Sequence, residues 1–221
     1  MRQLFIGLIA EGSTDIRFLK NIISKSIQEL SWQCDNQIEI FEIQEISVDG
    51  AGFSEKMLVA SRYAMQNYIS ILCIHADSDA SSIKEVMENK FDPFFETLKS
   101  MPEDVYCKHI IPTIPIQMIE SWMLADKELF KQLINAVGIR DIDLGIEKVP
   151  EAYSDPKYTI ENAIRIAMSG KSKKKRDQIH ISELYEILGN RLDLNKLRTI
   201  PSFVNFERNV INVFKAMNLM R

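Results

Sequence analysis

The sequence predicts an α/β protein: a mostly parallel, doubly wound sheet followed by a helical carboxy-terminal region. Apolar runs of strand length alternate with amphipathic runs of helix length through the first half of the chain. Ser70 to Ala76 is a continuous apolar run, as expected for a central strand buried on both faces. From Gln117 onward the pattern is helical, and no further strand is expected.

Taken in order, Leu4 to Ile9 reads as the first strand. Ile16, Leu19, Ile23, Ile27 and Leu30 then fall at helical spacing, so Thr14 to about Leu30 is a helix with Ser13 or Thr14 as its cap. Ile38 to Ile46 alternates apolar and polar residues and reads as a strand near an edge. Asp49-Gly50-Ala51-Gly52 is a turn, and Ser54 opens the next helix. After the central strand, Ser81 to Leu98 is helix-rich and broken at Pro93, and Val105 to Ile111 is the next strand. Strand-helix-strand order repeated in this way implies parallel pairing. Helices are expected over Gln117 to Val137, Thr159 to Met168, Ile181 to Leu188 and Phe203 to Met217. The division expected is an α/β core over 1–126 with a helical region, 127–221, packed on it.

The chain has 221 residues, 46% of them hydrophobic and 26% charged, with a formal net charge of -4. That composition is ordinary for a globular protein and argues against one that coats nucleic acid non-specifically. No apolar stretch approaches the roughly 20 residues that span a bilayer, and no signal peptide is expected. Cys34, Cys73 and Cys107 are odd in number and unpaired in spacing, which points to reduced thiols in a cytoplasmic protein.

Two acidic motifs stand where apolar strands end. Glu11-Gly12-Ser13-Thr14-Asp15 follows the first strand, and Asp77-Ser78-Asp79 follows the central one. Ligands of open α/β sheets bind outside the carboxyl ends of the strands. Carboxylates gathered there repel one another by roughly 4 kcal/mol per pair at ~4 Å and an effective dielectric of about 20. An all-oxygen set of this kind calls for a hard divalent cation, Mg²⁺ or Mn²⁺. Glu11, outside the helix, is a candidate ligand or general base, whereas Asp15 in the first turn suits the start of the helix. In extended chain Asp77 and Asp79 would project to the same side. Glu120 has Ile116, Met123 and Leu124 as one-turn neighbours, so it needs a metal, an arginine or a helix N-terminus as partner. His75 reads as a core histidine, and His109 and His180 have no partner at ligand spacing. Lys171, Lys173, Lys174, Lys175 and Arg176 place five positive charges in six residues, a candidate phosphate-contacting loop or a solvated one.

These pieces resemble the Toprim fold of topoisomerases, bacterial primases and OLD-family nucleases, in which a glutamate follows the first strand and Asp-x-Asp a later one. Glu11-Gly12-Ser13-Thr14-Asp15 with Phe18-Leu19 is similar to the OLD/RloB side of that family. Ile119-Glu120-Ser121-Trp122-Met123-Leu124-Ala125-Asp126 is similar to a motif of small Toprim-like proteins, as is Pro201-Ser202-Phe203 more loosely. The resemblance covers residues 1–126 and implies a Mg²⁺-dependent nuclease acting on DNA or RNA. Glu11 would be its general acid/base, Asp77 and Asp79 would hold the metal, and Glu120 would add a ligand. It also implies an ATPase partner in phage defence, the chain having no ATPase signature of its own. Two alternatives stand beside it: a catalytically silent Toprim-like module that binds a partner, and a haloacid-dehalogenase-like phosphatase with Asp77 as nucleophile. In the phosphatase reading Glu11 is unexplained.

Overall fold

The computed structural model describes residues 2–169, 171 and 179–221. Six short strands occur among them: β1 (Arg2–Leu4), β2 (Ile6–Ile9), β3 (Ile38–Ile40), β4 (Gln44–Glu45), β5 (Ile71–His75) and β6 (Ile110–Thr113). Every pairing is parallel. β1 pairs with β3, and the four-stranded ladder runs β4-β2-β5-β6. β1 and β2 are one strand line interrupted at Phe5, whose carbonyl turns to accept from Ser70 N–H at 2.7 Å. The Phe5 ring stacks on Phe41, in the matching interruption between β3 and β4, at 4.5 Å between centroids.

Alternate strand residues serve two cores. Leu4, Ile6, Leu8, Ile71, Cys73 and Ile111 face one layer, and Ile9, Leu72, Ile74 and Ile110 face the other. Against the first lies α1 (Ser13–Ser31), which buries the stripe Phe18, Leu19, Ile22, Ile23, Ile27 and Leu30. Against the second lie α2 (Phe53–Gln66) and, after a short α3 (Lys84–Val86) and a π turn (Met87–Phe91), α4 (Asp92–Ser100). The architecture is therefore α/β with helices on both faces of a parallel sheet. No described helix is long and apolar enough to cross a membrane.

Downstream come α5 (Glu120–Met123), α6 (Lys127–Leu133), α7 (Asp141–Leu144), α8 (Pro156–Ala167), α9 (Ile181–Arg191), α10 (Leu194–Leu197) and α11 (Pro201–Ala216). No strand occurs among the described residues beyond Gln117. Residues of α8, α9 and α11 join the same buried cluster as α1. Where α9 crosses α1 a side chain would not fit: a Cβ on Gly189 would stand 2.7 Å from the Phe18 carbonyl oxygen.

Several elements differ from expectation for local reasons. The strand expected at Val105 starts at Ile110, because Val105 and Tyr106 N–H both turn back to the Pro102 carbonyl. Pro93 does not break the helix but sits in the first turn of α4, where its missing N–H costs little. The long helix expected over Gln117 to Val137 is two short ones, because the Asp126 side chain caps α6 by accepting from Leu129 N–H at 3.0 Å. Neither Ser13 nor Thr14 caps α1. Gly12 is the cap residue, and its N–H donates to Asp15 Oδ2 at 2.9 Å. All three cysteines are free. Burial pushes the Cys107 thiol up to about 11 and raises that of Cys73 further, so neither is a ready nucleophile.

Candidate functional site

β2 and β5 are neighbours in register from Ile6↔Ile71 to Ile9↔Ile74. The chain leaving β2 returns at β4 on one side, and the chain leaving β5 returns at β6 on the other. The carboxyl ends of β2 and β5 are thus the point where strand order reverses, the place where such sheets open a crevice. Glu11 follows the first of these strands and Asp77 the second.

Asp77 is fixed by two donors on one oxygen. Its Oδ1 accepts from Ile119 N–H at 3.0 Å and lies 3.1 Å from His75 Nε2. No described group donates to Oδ2. His75 is the buried core residue expected, but only half satisfied, since its Nδ1 has no partner among the described residues. The loop around Asp77 is zipped to the chain leaving β6: Ser78 N–H donates to the Pro115 carbonyl at 3.2 Å, and Asp79 N–H to that of Gln117 at 2.8 Å. Ser78, which carried no weight in the sequence, orders this loop. It is buried, accepts from Gln117 N–H and donates to the Ala80 carbonyl, both at 2.8 Å. The strand ends before this loop, and Asp79 takes a left-handed conformation at φ 50° with its side chain exposed. The extended geometry expected for the Asp77/Asp79 pair is therefore absent.

Glu120 comes from the other direction, at the start of α5, and is buried. Its partner is none of those expected: the Tyr185 hydroxyl on α9 donates to its Oε1. Burial above all, and the charge of Asp77 after it, raises the Glu120 carboxyl above its ordinary value, against the stabilising bond from Tyr185. The Tyr185 phenol is raised too, by burial first and then by Glu120, with Asp15 and Asp77 acting from nearby. Asp15, Asp77, Glu120 and Tyr185 form one electrostatic neighbourhood.

Glu11 stands at the rim, with 56% of its side chain exposed, and its Oε1 lies 3.5 Å from Lys90 Nζ. Lys90 sits in the π turn, an uncommon element often found at functional positions. Lys171 opens the basic run and is half-buried. Lys173, Lys174, Lys175 and Arg176 lie outside the described residues.

No protein-family model, curated protein or solved structure matches this chain.

As a cation site the arrangement fits in part. No group of three or more potential ligand residues is gathered among the described residues. Asp77 and Glu120 do suit a hard ion. Each is an oxygen donor with one oxygen held by a protein donor, and the charge of Asp77 bears on Glu120 with Lys157 opposing it. Mg²⁺ ordinarily takes one or two carboxylates and fills its shell with water and substrate phosphate oxygens. Clefts of about 380 to 510 Å³ open elsewhere, and none of these is lined by Glu11, Asp77 or Glu120.

Two sequence motifs that seemed separate meet in the core. Trp122 Nε1 donates to Ser202 Oγ at 2.7 Å, and its ring meets Phe203 edge-on at 5.2 Å. Both serve packing and hold α5, hence Glu120, in place. Lys90 and Tyr185 had no signal in the sequence, since each reaches the site from a distant element.

Proposed function

We propose that this protein is a divalent-cation-dependent phosphodiester hydrolase, a nuclease of Toprim-like type acting on DNA or RNA. The observation that carries the reading is the placement of Glu11 and Asp77 after adjacent central strands at the switch point, with Glu120 brought in behind Asp77. A bound Mg²⁺ or Mn²⁺ would activate water and offset charge on the scissile phosphate. Asp77 and Glu120 would hold it, with Asp79 joining from the exposed turn. Glu11 is reachable from solvent and would move the proton at the attacking or leaving oxygen. Lys90, paired with Glu11, would meet a phosphate oxygen of the substrate. The basic run that contains Lys171 would add salt-dependent affinity for the polymer. An ATPase partner and a role in phage defence belong to the same reading.

A second reading is a catalytically silent Toprim-like module that binds a partner. It is favoured by the ion pair that occupies Glu11 and by the exposed, turned-out Asp79. Calorimetric titration of Mn²⁺ and Mg²⁺ into wild type and an Asp77→Ala/Asp79→Ala variant separates the two. Saturable binding lost in the variant is expected, and it justifies a screen of single- and double-stranded DNA and RNA. No binding by wild type, even with a short oligonucleotide present, would sink the nuclease and leave the module.

A further inference from the structure

We infer that Tyr185 is a positioning residue of the acidic site, so that the carboxy-terminal helical region supplies part of the site as well as part of the core. The inference rests on the cation reading above and deepens it.

Glu120 opens α5, a helix too short to fix a side chain by itself. Its neighbours are apolar, and a carboxylate in such surroundings needs a donor. The donor comes from 65 residues further along the chain, in the bond from the Tyr185 hydroxyl to Oε1. Both residues are buried. The bond uses Oε1; the carboxylate also meets its own backbone N–H, and no other side chain donates to Oε2 among the described residues. Asp77 is built in the same way: Ile119 N–H and His75 converge on Oδ1, and Oδ2 is left to the site. Carboxylates that bind cations are commonly held like this, one oxygen oriented by a donor and the other facing the ion.

The position of Tyr185 is set by tight packing. One helical turn beyond it Gly189 meets the backbone of Phe18, so α9 lies as close to α1 as two helices allow. Phe18 is itself less than one turn from Asp15. α1 therefore leads from Glu11 and Asp15 to the contact that aims Tyr185 at Glu120. Only a phenol on this face has both the ring to fill the core beside Leu184 and Leu188 and the hydroxyl to reach the carboxylate.

The test compares Mn²⁺ binding by wild type, Tyr185→Phe and Tyr153→Phe, using electron paramagnetic resonance of free and bound Mn²⁺. Tyr185→Phe keeps the ring and removes the hydroxyl. Tyr153→Phe removes another buried hydroxyl, one that accepts from Lys148 N–H at 2.7 Å, and serves as the control for a general loss of packing. Thermal unfolding verifies that both variants fold. Loss of an orienting donor ordinarily weakens binding by about 10- to 100-fold. That loss is expected for Tyr185→Phe, with an altered zero-field splitting of whatever ion remains bound, and wild-type affinity is expected for Tyr153→Phe. Unchanged or tighter binding in Tyr185→Phe, or equal weakening in both variants, overturns the inference while the cation reading stands. Absence of Mn²⁺ binding in wild type overturns both.

Discussion

Gly189→Ala is the substitution whose effect the packing defines best. A methyl there would lie 2.7, 3.1 and 3.3 Å from the carbonyl oxygen, Cα and carbonyl carbon of Phe18. The obstacle is backbone inside α1, so relief requires that α9 move as a body. Overpacking of this kind costs about 1–3 kcal/mol. Replacing a helical glycine by alanine returns about 1 kcal/mol in helix propensity. The net expectation is a loss of about 1 kcal/mol, which for a chain of this size lowers Tm by roughly 2–4 °C. Circular dichroism during heating reads this directly. Gly52→Ala is the contrast: its Cβ meets nothing within 4 Å, so it should change only the preference at the start of α2. A Tm for Gly189→Ala at or above wild type would refute the reasoning, because the two helices would then part without cost. The same displacement would carry Tyr185 away from Glu120, so Mn²⁺ affinity should fall with Tm.

Ser121→Ala should stabilise the protein: the Ser121 hydroxyl is buried with no partner among the described residues, and removing a desolvated donor gains on the order of 1 kcal/mol. Urea unfolding measures it, and a loss of stability would mean that the hydroxyl is bonded after all. His109 carries the pH prediction. Burial first, and Arg2 after it, hold its folded value below the ordinary 6.5, so the unfolded chain binds the proton more readily. Stability from this group is full above about 6.5 and is lost as pH falls through the folded value. The Tm of wild type should therefore drop on acidification in that window more steeply than the Tm of His109→Gln. Superimposable profiles for the two proteins would eliminate this role.

The strands were legible because a run such as Ile71 to Ile74 fits only a doubly covered position, and α1 because its apolar stripe keeps period over nineteen residues. What escaped were features decided by partners far along the chain. Val105 and Tyr106 look like strand residues, yet Pro102 draws their N–H groups into a turn. Asp77 and Asp79 look like a matched pair, yet the bond from Asp79 N–H to the Gln117 carbonyl turns the second outward. The apolar neighbours of Glu120 announced that it needed a partner but not which one, since a phenol reaching across from α9 leaves no trace in local spacing.

The same contrast bears on how the chain is organised. Sequence texture changes after the last strand, β6, and that change invites a boundary near Asp126 between an α/β core and an appended helical region. Packing runs across it. Leu4, Ile71 and Ile111 on one face of the sheet share a buried cluster with Leu184 and Leu188 of α9 and with Phe203, Val210 and Phe214 of α11. Asn209 of α11 donates to the Pro112 carbonyl of β6, and Arg198 joins Glu29 of α1 to Glu207 of α11. A sheet face covered in this way cannot be uncovered cheaply, because burying each large aliphatic side chain contributes about 1.5–3 kcal/mol. The helices after Asp126 thus complete, with α1, the layer on one face of the sheet, and the site at its edge inherits their geometry through Trp122, Ser202 and Tyr185.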